Sequence, residues 1–271
     1  MPTVAVGDGV DLYYEERGAG VPILGIHGTP SSAVLWESAA AELATYGRCL
    51  IYDRRGVHRS PAPVPFESVD LADHVRDAVG LLTALSATPA VVIGRSTGGL
   101  IALELARRHP DLVVALVLLE PAIFSLDPRA ATWAAGVRER LLEHVALGVT
   151  PVAEAMIREA LGDETWLSFP EPLRDLLVGT GPAVLAEVRG SGFDLSGSPL
   201  TLEEEDLAAL TPPTLVVSSE DGPQACRLVD ERLAEGLPDA EAALVPGGHI
   251  IHPAHPAVLD FVARHGGDRA P

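Results

Sequence analysis

The chain reads as an α/β protein, a mostly parallel eight-stranded sheet flanked by helices and interrupted by a helical insertion. Three observations predict this. Short β-rich runs alternate with capped or amphipathic runs over the first half; the alternation resumes near residue 211; and residues 124–210 between them carry helical periods with no convincing strand. Strands are expected at Thr3 to Val6, Val10 to Glu16, Ile23 to Ile26, Cys49 to Tyr52, Ala90 to Ile93, Val113 to Leu119, Thr214 to Val217 and Ala242 to Val245. Helices are expected at about Trp36 to Tyr46, Asp70 to Leu85 and Gly98 to His109, the last stopped by Pro110, and later at Pro223 to Glu235 and Ala257 to His265. The insertion shows helical periods at Val137 to Leu147 and Pro151 to Leu161, punctuated by Gly and Pro. The expected division is a core of residues 1–123 and 211–271 with a helical cap at 124–210.

Composition narrows the function. The 271 residues hold 38 acidic and 19 basic side chains, every basic one Arg, for a formal charge of −19, so a nucleic-acid backbone would be repelled. No apolar run reaches the roughly 18 residues of a membrane span, and Met1-Pro2-Thr3-Val4 lacks the pattern of a signal peptide. The expectation is a soluble, cytoplasmic protein without membrane or nucleic-acid partners, its oligomeric state left open. Cys49, inside an apolar run, and Cys226, in a distant helical pattern, read as buried free thiols of a reduced compartment. At this length folding buries roughly three quarters of the chain's surface, enough for a core without staples.

The strongest local signal is Ala90-Val91-Val92-Ile93-Gly94-Arg95-Ser96-Thr97-Gly98-Gly99-Leu100, a strand, then G-x-S-x-G, then a helix. The chain must reverse within a few residues there, and side chains at Gly94 or Gly98 would crowd the turn. Ser96 then stands at a helix N-terminus, where backbone N–H groups and the helix dipole favour negative charge. A serine nucleophile needs a base, and the oxyanion formed on attack needs preorganised donors.

With His27-Gly28-Thr29-Pro30 following the strand at Ile23, the sequence resembles the α/β-hydrolase superfamily over essentially its whole length. The resemblance implies that the backbone N–H groups of Thr29 and Thr97 form the oxyanion hole and that His27 is a structural turn residue. Asp53-Arg54-Arg55-Gly56-Val57-His58-Arg59-Ser60 resembles the superfamily's D-x-R-G-x-G-x-S loop, with His58 replacing a glycine and expected to face solvent. The base is expected after the last strand, in Pro246-Gly247-Gly248-His249, which makes His249 the candidate; His252 and His255 lack that context.

Two places compete for the acid that orients the histidine. The commoner one, after Thr214 to Val217, reads Ser218-Ser219-Glu220-Asp221-Gly222-Pro223; it puts Gly222 where Asp is usual, leaving Asp221 as the candidate and Glu220 as a lesser one. The rival is Glu120, ending Val113 to Leu119 beside Ser96's strand, with Pro121 disfavouring a helical backbone before it. Leu118-Leu119-Glu120-Pro121 resembles the acid-Pro motif of a subgroup that includes zearalenone-type lactonases.

Five of the twelve aromatic residues fall in the insertion, and Phe124, Trp133, Trp166 and Phe193 are candidates to line an apolar substrate pocket. The expected activity is hydrolysis of an ester or lactone of an apolar small molecule. Carbon-carbon bond hydrolysis or perhydrolysis by the same triad, and a slow-turnover ligand receptor, are the competing readings. Serine at the nucleophile position argues against epoxide hydrolases and haloalkane dehalogenases, which use aspartate, and neither a metal-ligand cluster nor a phosphate loop appears, so no cofactor is expected.

Overall fold

The computed structural model describes residues 2–148 and 150–266. Its sheet comprises β1 (Thr3–Gly7), β2 (Val10–Arg17), β3 (Pro22–Ile26), β4 (Arg48–Tyr52), β5 (Ala90–Arg95), β6 (Val113–Leu119), β7 (Thr214–Ser219) and β8 (Ala240–Val245). The spatial order is β1-β2-β4-β3-β5-β6-β7-β8. β2 runs antiparallel to both of its neighbours, and every other pairing is parallel. The eight expected strands are all present, most of them a residue or two longer than the sequence pattern suggests.

The central strands read as unbroken apolar runs because both faces of the sheet are covered. Along β3 and β5, Leu24, Ile26 and Val92 enter one core, whereas Ile23, Val91 and Ile93 enter the other. The first core is roofed by α2 (Leu71–Ala84) and α3 (Thr97–Arg108), preceding the insertion, and by α10 (Gln224–Gly236), following it. The second is closed by α1 (Glu37–Leu43) and by the C-terminal α11 (Pro256–His265). The helix expected at Trp36 to Tyr46 is shorter and begins as a 3-10 turn, Ala33–Trp36.

Between β6 and β7 lie α4 (Pro128–Leu147), α5 (Val152–Leu161), α6 (Asp163–Ser168), α7 (Glu171–Val178), α8 (Gly181–Arg189) and α9 (Glu204–Ala208). The described residues there form no strand, only an isolated bridge between Gly192 and Pro199. α4 starts nine residues before the expected Val137 (137 − 128). Asp127 caps it by accepting from Arg129 N, and Pro128 takes the first helical position, where its missing N–H costs nothing. Leu141, Ala153, Met156, Val184 and Val188 give these helices a small core of their own, while Ala130, Ala134, Ala186 and Phe193 pack into the main one.

Cys49 and Cys226 are free and buried, and burial pushes the Cys49 thiol up to about 12. Among the described residues no helix is long and apolar enough to cross a membrane. Asp230 on α10 is buried beneath β7; Ser218 Oγ donates to its Oδ2 at 2.7 Å, while Oδ1 has no partner. Burial raises its carboxyl to about 8.

The unfolded carboxyl ionises near pH 3.9. Stability associated with the protonated folded form is therefore full below that value and is lost as pH rises through the folded value near 8. Asp230→Asn is expected to gain melting temperature over wild type progressively between about pH 4 and pH 8. Thermal denaturation across that range checks this, and a gap that does not change with pH would contradict it.

Candidate active site

Ser96 sits between β5 and α3 with φ 55° and ψ −123°, in a region that L-residues rarely occupy. The turn closes because Gly98 lies against β3: a Cβ there would overlap the carbonyl oxygens of Ile26 and His27. Ser96 N donates to Leu119 O at 3.0 Å, and Ser96 O accepts from Gly99 N at 2.8 Å and Ala122 N at 3.0 Å. The backbone that carries the hydroxyl is thus clamped by β6 and by its own helix. Among the described residues, the N–H groups of Thr29 and Thr97 have no protein acceptor, and both residues line the cavity that Ser96 faces.

Glu120 follows β6 with φ 41° and is fully buried. Its backbone N–H donates to Val217 O at 3.0 Å, prolonging the β6–β7 ladder by one rung. Oε1 accepts from Ser219 N at 2.8 Å and from Ser219 Oγ. Oε2 lies 2.6 Å from His249 Nδ1. Burial alone would raise the carboxyl, but the hydrogen bonds and charge of His249, with those of Ser219, hold it below the usual glutamate value. Gly222 makes room for it, since a Cβ there would overlap Glu120 Oε1 and Ser219 Oγ. Asp221 and Glu220 are exposed and make no hydrogen bond to His249.

His249 follows β8 and shares the cavity wall with Ser96; among the described residues its Nε2 makes no hydrogen bond. The other histidines have different work. His27 is buried, its Nδ1 2.8 Å from Gly28 O and its Nε2 accepting from Arg54 N at 3.1 Å; burial and then the Arg54 charge hold it well below its ordinary value. His58 is exposed with φ 46°, a backbone position suited to the glycine it replaces. His252 is exposed, 3.2 Å from Ser38 Oγ, and His255 caps α11.

Of the aromatic candidates, Phe124, Trp133 and Phe193 line the cavity at Ser96, joined by Leu100, Val137, Met156 and Val188. Trp166 does not. It faces inward on α6, buried with Ile157 and Leu177, and meets Phe169 edge-on with ring centres 6.2 Å apart. Phe169 instead lines a neighbouring cavity.

Several residues at the site were missed in the sequence. Cys226 Sγ lies 3.8 Å from His249 Nδ1, and its donor atom falls within 4.8 Å of those of Glu120 and His249. That trio has the donors of a metal site, but Glu120 and His249 are bonded to each other, and burial keeps the thiol well above its usual value and so protonated at neutral pH. Glu187 on α8 reaches from the insertion to the core: Thr29 Oγ1 donates to its Oε2 at 2.7 Å and Arg54 Nη1 to its Oε1 at 2.6 Å. Arg54 Nη2 also donates to Gly28 O at 2.9 Å and to Thr29 Oγ1, and His74 Nε2 lies 3.5 Å from Glu187 Oε1. Burial would raise the Glu187 carboxyl, but Arg54, His74 and Thr29 hold it below its ordinary value. Polar residues scattered over four segments leave no periodic signal, so only spatial proximity reveals this network.

Two substitutions follow. Glu187→Ala leaves Arg54 buried without its counter-charge and should cost about 3–5 kcal/mol in chemical denaturation. Gly222→Ala forces Glu120 and Ser219 apart and should cost about 1–3 kcal/mol, with loss of the Glu120–His249 hydrogen bond in a crystal structure of the variant.

The chain is similar to known proteins along nearly its whole length. RutD of Variovorax paradoxus, which carries the provisional name carbamate hydrolase, is 30% identical over 275 residues, covering 93% of this chain and 96% of its own. A thermophilic esterase from Thermogutta terrifontis superposes with a TM-score of 0.77 at 24% identity, covering 98% and 97% of the two chains. Est816, described as an N-acyl homoserine lactone degrading enzyme, superposes at 0.72 with 24% identity over 97% and 99%. The family model for the alpha/beta hydrolase fold matches residues 21–256, and the chain belongs to that family.

Proposed function

We propose that the protein is a serine hydrolase that cleaves a carboxylic ester or lactone of a small, largely apolar molecule through an acyl-enzyme. The observation that carries this reading is the 2.6 Å contact between Glu120 Oε2 and His249 Nδ1, on a histidine that shares an apolar cavity with Ser96. A carboxylate at Nδ1 selects the tautomer whose Nε2 is free to accept a proton. His249 then takes the Ser96 proton as the hydroxyl attacks the acyl carbon. The unspent Thr29 and Thr97 N–H groups stabilise the oxyanion, and His249 protonates the leaving oxygen. Water, activated by the same imidazole, releases the acid.

Glu120 is the orienting acid in this reading. Ser219 occupies Oε1 twice, which leaves Oε2 for the imidazole. The imidazolium formed during attack is stabilised by a carboxylate whose depressed pKa keeps it ionised at neutral pH. Helices α4 to α8 act as the cap, supplying Trp133, Met156 and Val188 to the cavity wall. The cavity at Ser96 holds about 80 Å³ and its neighbour about 200 Å³, and a third cavity, which shares Trp133, Leu161 and His249 with the first, holds about 640 Å³.

Turnover of p-nitrophenyl acetate and butyrate and of small lactones, with product masses recorded, tests the reading. Ser96→Ala should lower kcat at least about a thousandfold and Glu120→Gln about a hundredfold to ten-thousandfold. Asp221→Asn should stay within about threefold of wild type. A larger loss from Asp221→Asn than from Glu120→Gln would move the acid to Asp221, and activity unaffected by Ser96→Ala would remove the serine mechanism.

A further inference from the structure

The cavity beside Ser96 is walled by Gly28, Ser31, Leu35, Ile157, Phe169 and Leu173, together with His249 and one permanent charge, Arg95. Arg95 directly precedes Ser96, at the end of β5. Its side chain is buried, passes over the Trp36 ring with the guanidinium carbon 5.8 Å from the ring centre, and donates from Nη1 to Ile251 O at 3.1 Å.

Three facts set this residue apart. Among the described residues no carboxylate lies within ion-pair distance of Arg95, whereas the other deeply buried arginines are paired, Arg54 with Glu187 and Arg55 with Asp77. No Asp or Glu lines its cavity. The guanidinium carries five N–H donors, its remaining nitrogens are not sealed off in the interior, and the residue lines the cavity. Burial lowers the group only to about 10, and it stays charged at neutral pH. A largely buried cation without a counter-charge is costly unless something anionic completes it.

We propose that this cavity is a subsite for a carboxylate carried by the substrate, which Arg95 binds while the ester or lactone carbonyl of the same molecule lies against Ser96. The planar guanidinium suits a carboxylate, the apolar walls from α5 and α7 suit the methylene chain between its two ends, and the preferred substrates are half-esters of short dicarboxylic acids or lactones bearing a free acid. The formal charge of −19 does not oppose this. Exposed charges beyond about 8 Å are screened at physiological salt, whereas a largely buried cation acts on its ligand at close range. Placing the carbonyl at Ser96 rests on the hydrolase reading above, but the carboxylate subsite itself does not.

Two measurements separate the two ideas. In the first, kcat/KM is compared for p-nitrophenyl butyrate and for the mono-p-nitrophenyl esters of succinate, glutarate and adipate. Wild type should favour at least one acidic ester by about tenfold or more, and in Arg95→Met that ratio of acidic to neutral ester should fall by about tenfold to a hundredfold. Equal losses on acidic and neutral esters would mean that Arg95 serves only to hold the Ile251 carbonyl and the histidine loop, and would overturn the proposal.

In the second, binding of free glutarate and adipate to Ser96→Ala is followed by calorimetry, with and without Arg95→Met, after circular dichroism has verified the fold of each variant. Binding that depends on Arg95 while no ester is turned over supports the subsite and sinks the hydrolase reading instead. Ester turnover with no acidic preference and no dicarboxylate binding sinks the subsite alone. Should Arg95→Met not fold, the wild-type ester ratio and dicarboxylate binding to Ser96→Ala decide the matter by themselves.

Discussion

Two backbone hydrogen bonds set the geometry on which the site depends: Ser96 N to Leu119 O, and Glu120 N to Val217 O. Each continues a parallel ladder one residue past the end of its strand pair, after Arg95 pairs with Leu119 and Leu119 with Val217. Both side chains therefore leave the sheet at the same edge, and both do so at positive φ, where the chain bends away from the strand direction. The large apolar burial on both faces of β5 and β6 holds those strands in register, so the strain at Ser96 and Glu120 is supported by the core rather than by local loop contacts.

Buried charge at this edge is handled in two different ways. Glu187 and Arg54 satisfy each other and Thr29, tying the insertion to the loop that bears one proposed oxyanion donor. Under the proposed mechanism their mutual neutralisation matters, because an unpaired carboxylate beside the proposed oxyanion hole would oppose the charge developing there. Arg95 is the contrasting case. Among the described residues it has no carboxylate partner, only the Ile251 carbonyl and the face of Trp36.

Elements with strong periodicity or strict local constraints were legible in the sequence: all eight strands, the turn at Ser96, the histidine after β8 and the free thiols. Boundaries slipped where local chemistry outweighed pattern, as at Asp127-Pro128, where a proline that looks like a stop opens α4. The choice between Glu120 and Asp221 was left open in one dimension because it turns on volume. Gly222 is conspicuous in sequence as a missing Asp, but only the fold reveals that its absent side chain is the space Glu120 fills. Trp166 was misjudged for a related reason, since an aromatic residue in a short helix carries no sign of which face it packs on. Contacts such as Thr29 with Glu187, 158 positions apart, are written in no periodicity at all.

Cys226 explains why Glu120 acts on the histidine without competition. Its sulfur stands 3.8 Å from His249 Nδ1, near enough that a thiolate would offer the ring a second negative partner. Burial comes first in keeping the thiol protonated, and the adjacent Glu120 charge pushes in the same direction. The carboxylate faces the opposite balance: its burial penalty is outweighed by Ser219 and the imidazole. With Oε1 committed to Ser219, Oε2 is the carboxylate oxygen left to face Nδ1, at 2.6 Å. The neutral sulfur packs beside it, so the ring's orientation rests on one hydrogen bond to a buried carboxylate, and burial strengthens such a bond.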